Sequence, residues 1–232
     1  MHSLSRRVAS EGIGTALLLT AVVGSGIMGE RLAGGNAAIA LLANSIATGG
    51  ALIALILTFG PISGAHFNPV VSLSLAGTAA FPWRAVPAYL AAQILGAVAG
   101  VWLAHAMFEA PIIEIGTHMR TGAGQWLAEA VATFGLLIVI AGSARHHALA
   151  TPFAVAAYIT AAYWFTASTS FANPAVTLAR ALTDSFAGIR PIDVPGFVLA
   201  QLAGGGAATA LLRWFAAKPA VRTPVTLVPS RP

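Results

Sequence analysis

Two stretches decide the architecture: Ser63-Gly64-Ala65-His66-Phe67-Asn68-Pro69-Val70, and Phe171-Ala172-Asn173-Pro174-Ala175. In each, asparagine stands directly before proline and an apolar, helix-compatible run. Asparagine suits the N-cap, where its side chain accepts from an orphan backbone N–H, and proline suits the first helical position, where its missing N–H costs nothing. Each motif therefore reads as a helix start. The segments carrying them, 63–77 and 170–183, open polar and continue in a short apolar run. Neither approaches the roughly 20 residues a spanning helix needs. Irregular backbone at membrane depth persists only where protein buries it or a wet cavity borders it. Each segment is thus expected to be re-entrant, a loop followed by a half-helix.

An isolated Asn-Pro marks an ordinary turn, but the surroundings of these two repeat. Glu11 and Thr15, then Asn68-Pro69-Val70, then Ala92-Gln93 with Gly96 are followed in the same order by Glu129 and Thr133, Asn173-Pro174-Ala175, and Ala200-Gln201 with Gly204. The offsets are 118, 105 and 108 positions, so loops change length while the order holds. The repeats are placed at about 8–108 and 125–215 of a single domain, 1–232, with a tail at 218–232. Three spans per repeat is an odd number, so the second copy enters the membrane from the opposite side. Inverted repeats place the permeation site at their interface, near the midplane.

The rest of the chain agrees with a membrane setting. Hydrophobic residues make up 57% of it and charged residues 8%, and the mean hydropathy is +0.82, unlike a soluble domain. Spans are expected near 10–30, 37–59, 84–107, 125–144, 148–167 and 194–215. With both termini cytoplasmic, eight of the twelve basic residues lie inside, and Arg31, Arg120, Arg180 and Arg190 lie outside, in keeping with the positive-inside rule. The net charge of +5 is scattered among apolar runs with no basic stripe, which argues against nucleic acid. There is no cysteine for disulfides or thiolate metal sites, and no cofactor or metal is expected. Gly24-Ser25-Gly26-Ile27-Met28-Gly29 matches a dinucleotide fingerprint in letters only, since it ends an apolar span with no strand before it.

Meeting N-terminus to N-terminus at mid-membrane, the two half-helices would each bring about +0.5 elementary charge. Cations would be repelled, while the Asn68 and Asn173 amides offer N–H donors to a neutral solute.

These two loops resemble the signature loops of the aquaporin and aquaglyceroporin family, along nearly the whole chain, with Val70 where alanine is usual. The resemblance implies an all-α fold of six transmembrane helices and two re-entrant half-helices, in a homotetramer with one pore per subunit in the inner (cell) membrane. It implies that Glu11 and Glu129 brace the loops, and that His66 lines the pore. It also places the outer selectivity filter at Thr48, Ala161, Ser170 and Val176. Family members usually carry arginine where Val176 stands. All four residues are small or modest, so the filter is expected to be wide and without fixed charge, with Arg180, one turn further on, as a compensating charge at the outer mouth. A valine at this place resembles a bacterial arsenic-resistance-associated branch, which implies passage of arsenite and antimonite as neutral hydroxides, beside glycerol-like polyols and water. The alternatives are a plain water and glycerol facilitator, or a secondary active transporter. The last needs an ion-coupling site, and beyond Glu11 and Glu129 the spans hold almost no acids.

Overall fold

The computed structural model describes residues 2–146 and 148–216; the tail at 218–232 lies outside them. Among the described residues there are eight α-helices: α1 (Leu4–Leu32), α2 (Ala37–Ser63), α3 (Pro69–Gly77), α4 (Val86–Met107), α5 (Ala123–His146), α6 (Thr151–Phe165), α7 (Pro174–Arg180) and α8 (Val194–Ala216). Short 3-10 turns lead into α4 (Trp83–Ala85) and α8 (Pro191–Asp193), at matching places in the two halves.

Five of these helices are long and apolar enough to cross a membrane. The remaining span, fifth in chain order, is shorter than the sequence suggests. Its α-helix, α6, is 15 residues, preceded by a 3-10 turn at Ala148–Ala150, and Pro152 at the helix start fixes where the α-helix begins. The first span is longer than expected: Arg6 and Arg7 are helical, and Ser3 caps the start by accepting from the Arg6 N–H. Ser63 closes α2 instead of opening the re-entrant segment, because Gly64 (φ +92°) supplies the left-handed residue that ends the helix.

Packing follows the repeat. In the first half α1 packs on α4 and α2, in the second α5 packs on α8 and α6, and α2 meets α6 where the halves join. The half-helices cross over, so that α3 lies on α8 as well as α4, and α7 on α4 as well as α8. Polarity is inverted relative to a soluble protein. Glu11, Gln93, Glu129 and Gln201 are fully buried, while Leu95, Leu127, Leu149 and Leu199 are well exposed. Such an exterior suits lipid, and inside, the Gln93 and Gln201 amide nitrogens pair with the Glu11 and Glu129 carboxylates.

Glycine sets the closest helix contacts. A Cβ on Gly96 would stand 2.2 Å from the backbone oxygen of Gly12, and one on Gly204 would stand 2.1 Å from that of Ala130. These are equivalent crossings in the two repeats, and both obstacles are backbone. Gly96→Ala must therefore push α1 and α4 apart, and a destabilisation of about 1–3 kcal/mol is expected, read as a lowered Tm of the purified protein in detergent. A parental Tm would show that the crossing has slack.

Candidate functional site: a central pore between two capped half-helices

Both re-entrant loops bend the same way. Ala65 and Phe67 in one, and Ser170 and Ala172 in the other, adopt left-handed φ between 47° and 52°. Each non-glycine residue there costs on the order of 1 kcal/mol or more, so something must hold the loops. The buried carboxylates do. Glu11 accepts from the His66 N–H (2.9 Å) and Phe67 N–H (2.7 Å), and Glu129 from the Phe171 N–H (2.8 Å) and Ala172 N–H (2.9 Å). Gln93 and Gln201 donate to the same carboxylates at 2.8 and 2.6 Å. They also donate to Ser72 and Thr177, whose hydroxyls bond back to the carbonyls of Asn68 and Asn173. Glu11 takes one bond more, from Ser63 Oγ at 2.6 Å.

Each asparagine uses both ends of its amide. Asn68 Oδ1 accepts from the Val70 N–H at 2.9 Å and caps α3, while Asn173 Oδ1 accepts from the Ala175 and Val176 N–H groups at 3.0 and 3.3 Å and caps α7. The amide nitrogens reach across the repeat boundary: Asn68 Nδ2 donates to the Ala172 carbonyl and Asn173 Nδ2 to the Phe67 carbonyl, both at 2.8 Å. The two helix starts are therefore neighbours. An amide nitrogen carries two N–H groups, so one on each remains for a guest in the cavity that both residues line.

That cavity, together with the solvent space open to it, amounts to about 850 Å³. Its wall is an apolar stripe drawn from four helices, with Leu18 and Val22 of α1 matched by Leu136 and Ile140 of α5, and Leu52 and Ile56 of α2 facing Val155 and Ile159 of α6. The polar groups come from the re-entrant loops. His66 lines the path, with Nδ1 2.9 Å from Ser72 Oγ and its ring packed on Phe81 and Tyr89.

Thr48, Ser170 and Val176 border the cavity towards its other end; Ala161 does not. The residues of α6 that face inward are Thr151, Val155, Ile159 and Tyr163, spaced by four. Ala161 falls between them, on the opposite side of a 3.6-residue helix, and is exposed. Tyr163 takes the place assigned to it, with its hydroxyl 3.2 Å from Thr48 Oγ1. The ring of residues is thus not uniformly small.

It is not free of fixed charge either. Arg180 lines the cavity although its residue surface is only 2% exposed. Its Nε donates to the Ala187 carbonyl, and Cζ lies 3.4 Å from the centre of the Phe171 ring. Arg120, from the loop between α4 and α5, lies 5.0 Å from the same ring centre. Its guanidinium donates to the carbonyls of Gly188, Ser168 and Phe186 and to Thr169 Oγ1. The sequence gives no sign of this role, because its partners lie 48 to 68 positions away in irregular loops.

Comparison with known proteins agrees with this geometry. Residues 1–147 match the family described as "Major intrinsic protein". The chain is 53% identical over 221 residues to "Aquaglyceroporin AqpS" of Rhizobium meliloti (strain 1021), covering 94% of both. The chain belongs to the major intrinsic protein family. Another relative, "Aquaporin NIP2-3" of Zea mays, is 37% identical over 191 residues, 78% of this chain and 62% of that one. The solved structure of the aquaglyceroporin from Plasmodium falciparum superposes with a TM-score of 0.74 over 90% of this chain and 95% of that one, at 22% identity, which bears on fold alone. Major intrinsic proteins are channels, not enzymes, and this member is accordingly a multi-pass membrane channel.

Proposed function

We propose that the channel conducts small uncharged solutes by facilitated diffusion: water, glycerol-like polyols and the neutral hydroxides of arsenic and antimony. The observation that carries the reading is Val176, which borders the cavity immediately after the Asn173-Pro174-Ala175 cap and leaves that position without a guanidinium. Thr48 and Tyr163 then present two hydroxyls beside an apolar wall. Polyols and metalloid hydroxides offer several hydroxyls and no charge, so they exchange hydrogen bonds with this rim and the two asparagine amides without meeting the electrostatic penalty cations face. The name of the Rhizobium meliloti relative supports the polyol part. On this reading residues 1–232 work as one channel domain of two inverted repeats, with Glu11 and Glu129 as braces. The subunit is one of four in a homotetramer in the inner (cell) membrane. Both termini are cytoplasmic, on the side of Arg6, Arg7, Arg84 and Arg145.

Stopped-flow light scattering on proteoliposomes tests the reading. Water, glycerol and arsenous acid are all expected to pass, and Val176→Arg is expected to cut the glycerol and arsenous acid permeabilities by about tenfold, equivalent to about 1.4 kcal/mol of added barrier. Passage of water alone would contradict the proposal. Passage of glycerol without arsenous acid would leave a plain polyol facilitator.

A further inference from the structure

We propose that Arg180 is the specificity-determining charge of the outer mouth, set one helical turn from Val176, where it excludes cations and donates hydrogen bonds to the hydroxyls of passing solutes. The inference rests on the channel reading above and assigns the charge within that same site.

Arg180 follows Val176 by four residues, so the two share a face of α7 about 6 Å apart along the axis. Side chains on a helix lean towards its N-terminus, so the long arginine returns towards the level of Phe171 and Val176. Its Cζ accordingly lies over the Phe171 ring, and both residues border the cavity. The Nε bond to the Ala187 carbonyl fixes the guanidinium plane.

What separates Arg180 from Arg120 is what each leaves over. Arg120 uses Nε and both terminal nitrogens on protein oxygens. It is a clamp on the outer loops, and it does not border the cavity. Arg180 uses Nε alone, so four of its five N–H donors have no protein acceptor among the described residues. Its terminal nitrogens are not among the sealed, unpaired polar atoms, whereas Ser170 Oγ beside it is. The described ion pairs are His105–Glu114 and Arg190–Asp193, so among the described residues no carboxylate is in ion-pair contact with Arg180. A buried, anchored cation without a contact ion pair and with open donors on an aqueous path repels cations and receives oxygen atoms.

The test uses the full chain in pyranine-loaded proteoliposomes under a potassium diffusion potential, with assembly verified by size exclusion. Arg180→Gln is expected to raise proton leak about tenfold or more, while Arg180→Lys, which keeps the charge, stays near the parent. A proton-tight Arg180→Gln, or an Arg180→Lys as leaky as Arg180→Gln, would overturn the assignment. If Arg180→Gln does not assemble, the double variant Val176→Arg with Arg180→Gln decides. Proton tightness like the parent with a smaller glycerol to water permeability ratio supports the assignment, and a leak or an unchanged ratio refutes it. Proton flux is measured without any metalloid, so failure here is distinct from failure of the substrate reading.

Discussion

Glu129→Ala is expected to abolish assembly of the channel, with no monodisperse peak on size exclusion in detergent. The carboxylate receives three protein hydrogen bonds, from Phe171 N–H, Ala172 N–H and Gln201 Nε2, in a fully buried setting. Bonds to a charged acceptor contribute about 1.5–3 kcal/mol each. Their joint loss, on the order of 5–9 kcal/mol, rivals the whole stability of many domains, about 5–15 kcal/mol. The cost is sharpened because the freed N–H groups belong to a loop already held at left-handed φ. Glu129→Gln is expected to fall between, since one carboxamide oxygen still accepts while its NH2 group faces another donor. An alanine variant with the parental Tm would mean that the loop holds its shape without the brace.

Asn173→Asp is expected to assemble and to leak protons at least about tenfold more than the parent, by the same pyranine measurement. Aspartate caps a helix as well as asparagine does, so α7 keeps its start. The donation from Asn173 Nδ2 to the Phe67 carbonyl is lost. The larger change is electrostatic. Two facing helix ends contribute about +0.5 elementary charge each, and a carboxylate between them cancels that sum. A proton-tight Asn173→Asp would place the cation barrier elsewhere in the path.

The parts legible in the sequence were those written as local chemistry. Asn-Pro states a helix start in two residues, and the order of Glu, Asn-Pro and Gln-Gly in both halves identifies the repeat and hence the inverted packing. The register of α6 was not legible. A helix apolar on every side has no hydropathy contrast between pore and lipid, so nothing in the sequence marks Tyr163, two residues beyond Ala161, as the inward one. The four-residue spacing of Val155, Ile159 and Tyr163 is visible only once one of them is known to face inward. The helix face of Arg180 marks it as a mouth charge, but its burial depends on Phe171 and on the Ala187 carbonyl beyond the helix end. Arg120 acts entirely through distant loop carbonyls, which leave no pattern in a single sequence.

The reciprocal bonds from Asn68 to Ala172 and from Asn173 to Phe67 bear on how the protein is made. A ribosome delivers Phe67 and Asn68 to the bilayer more than a hundred residues before their partners exist. Until then the first signature loop lacks the amide that satisfies its carbonyl, and the path has only half its lining. The conduit therefore closes around its own axis only late in synthesis, when the second loop arrives.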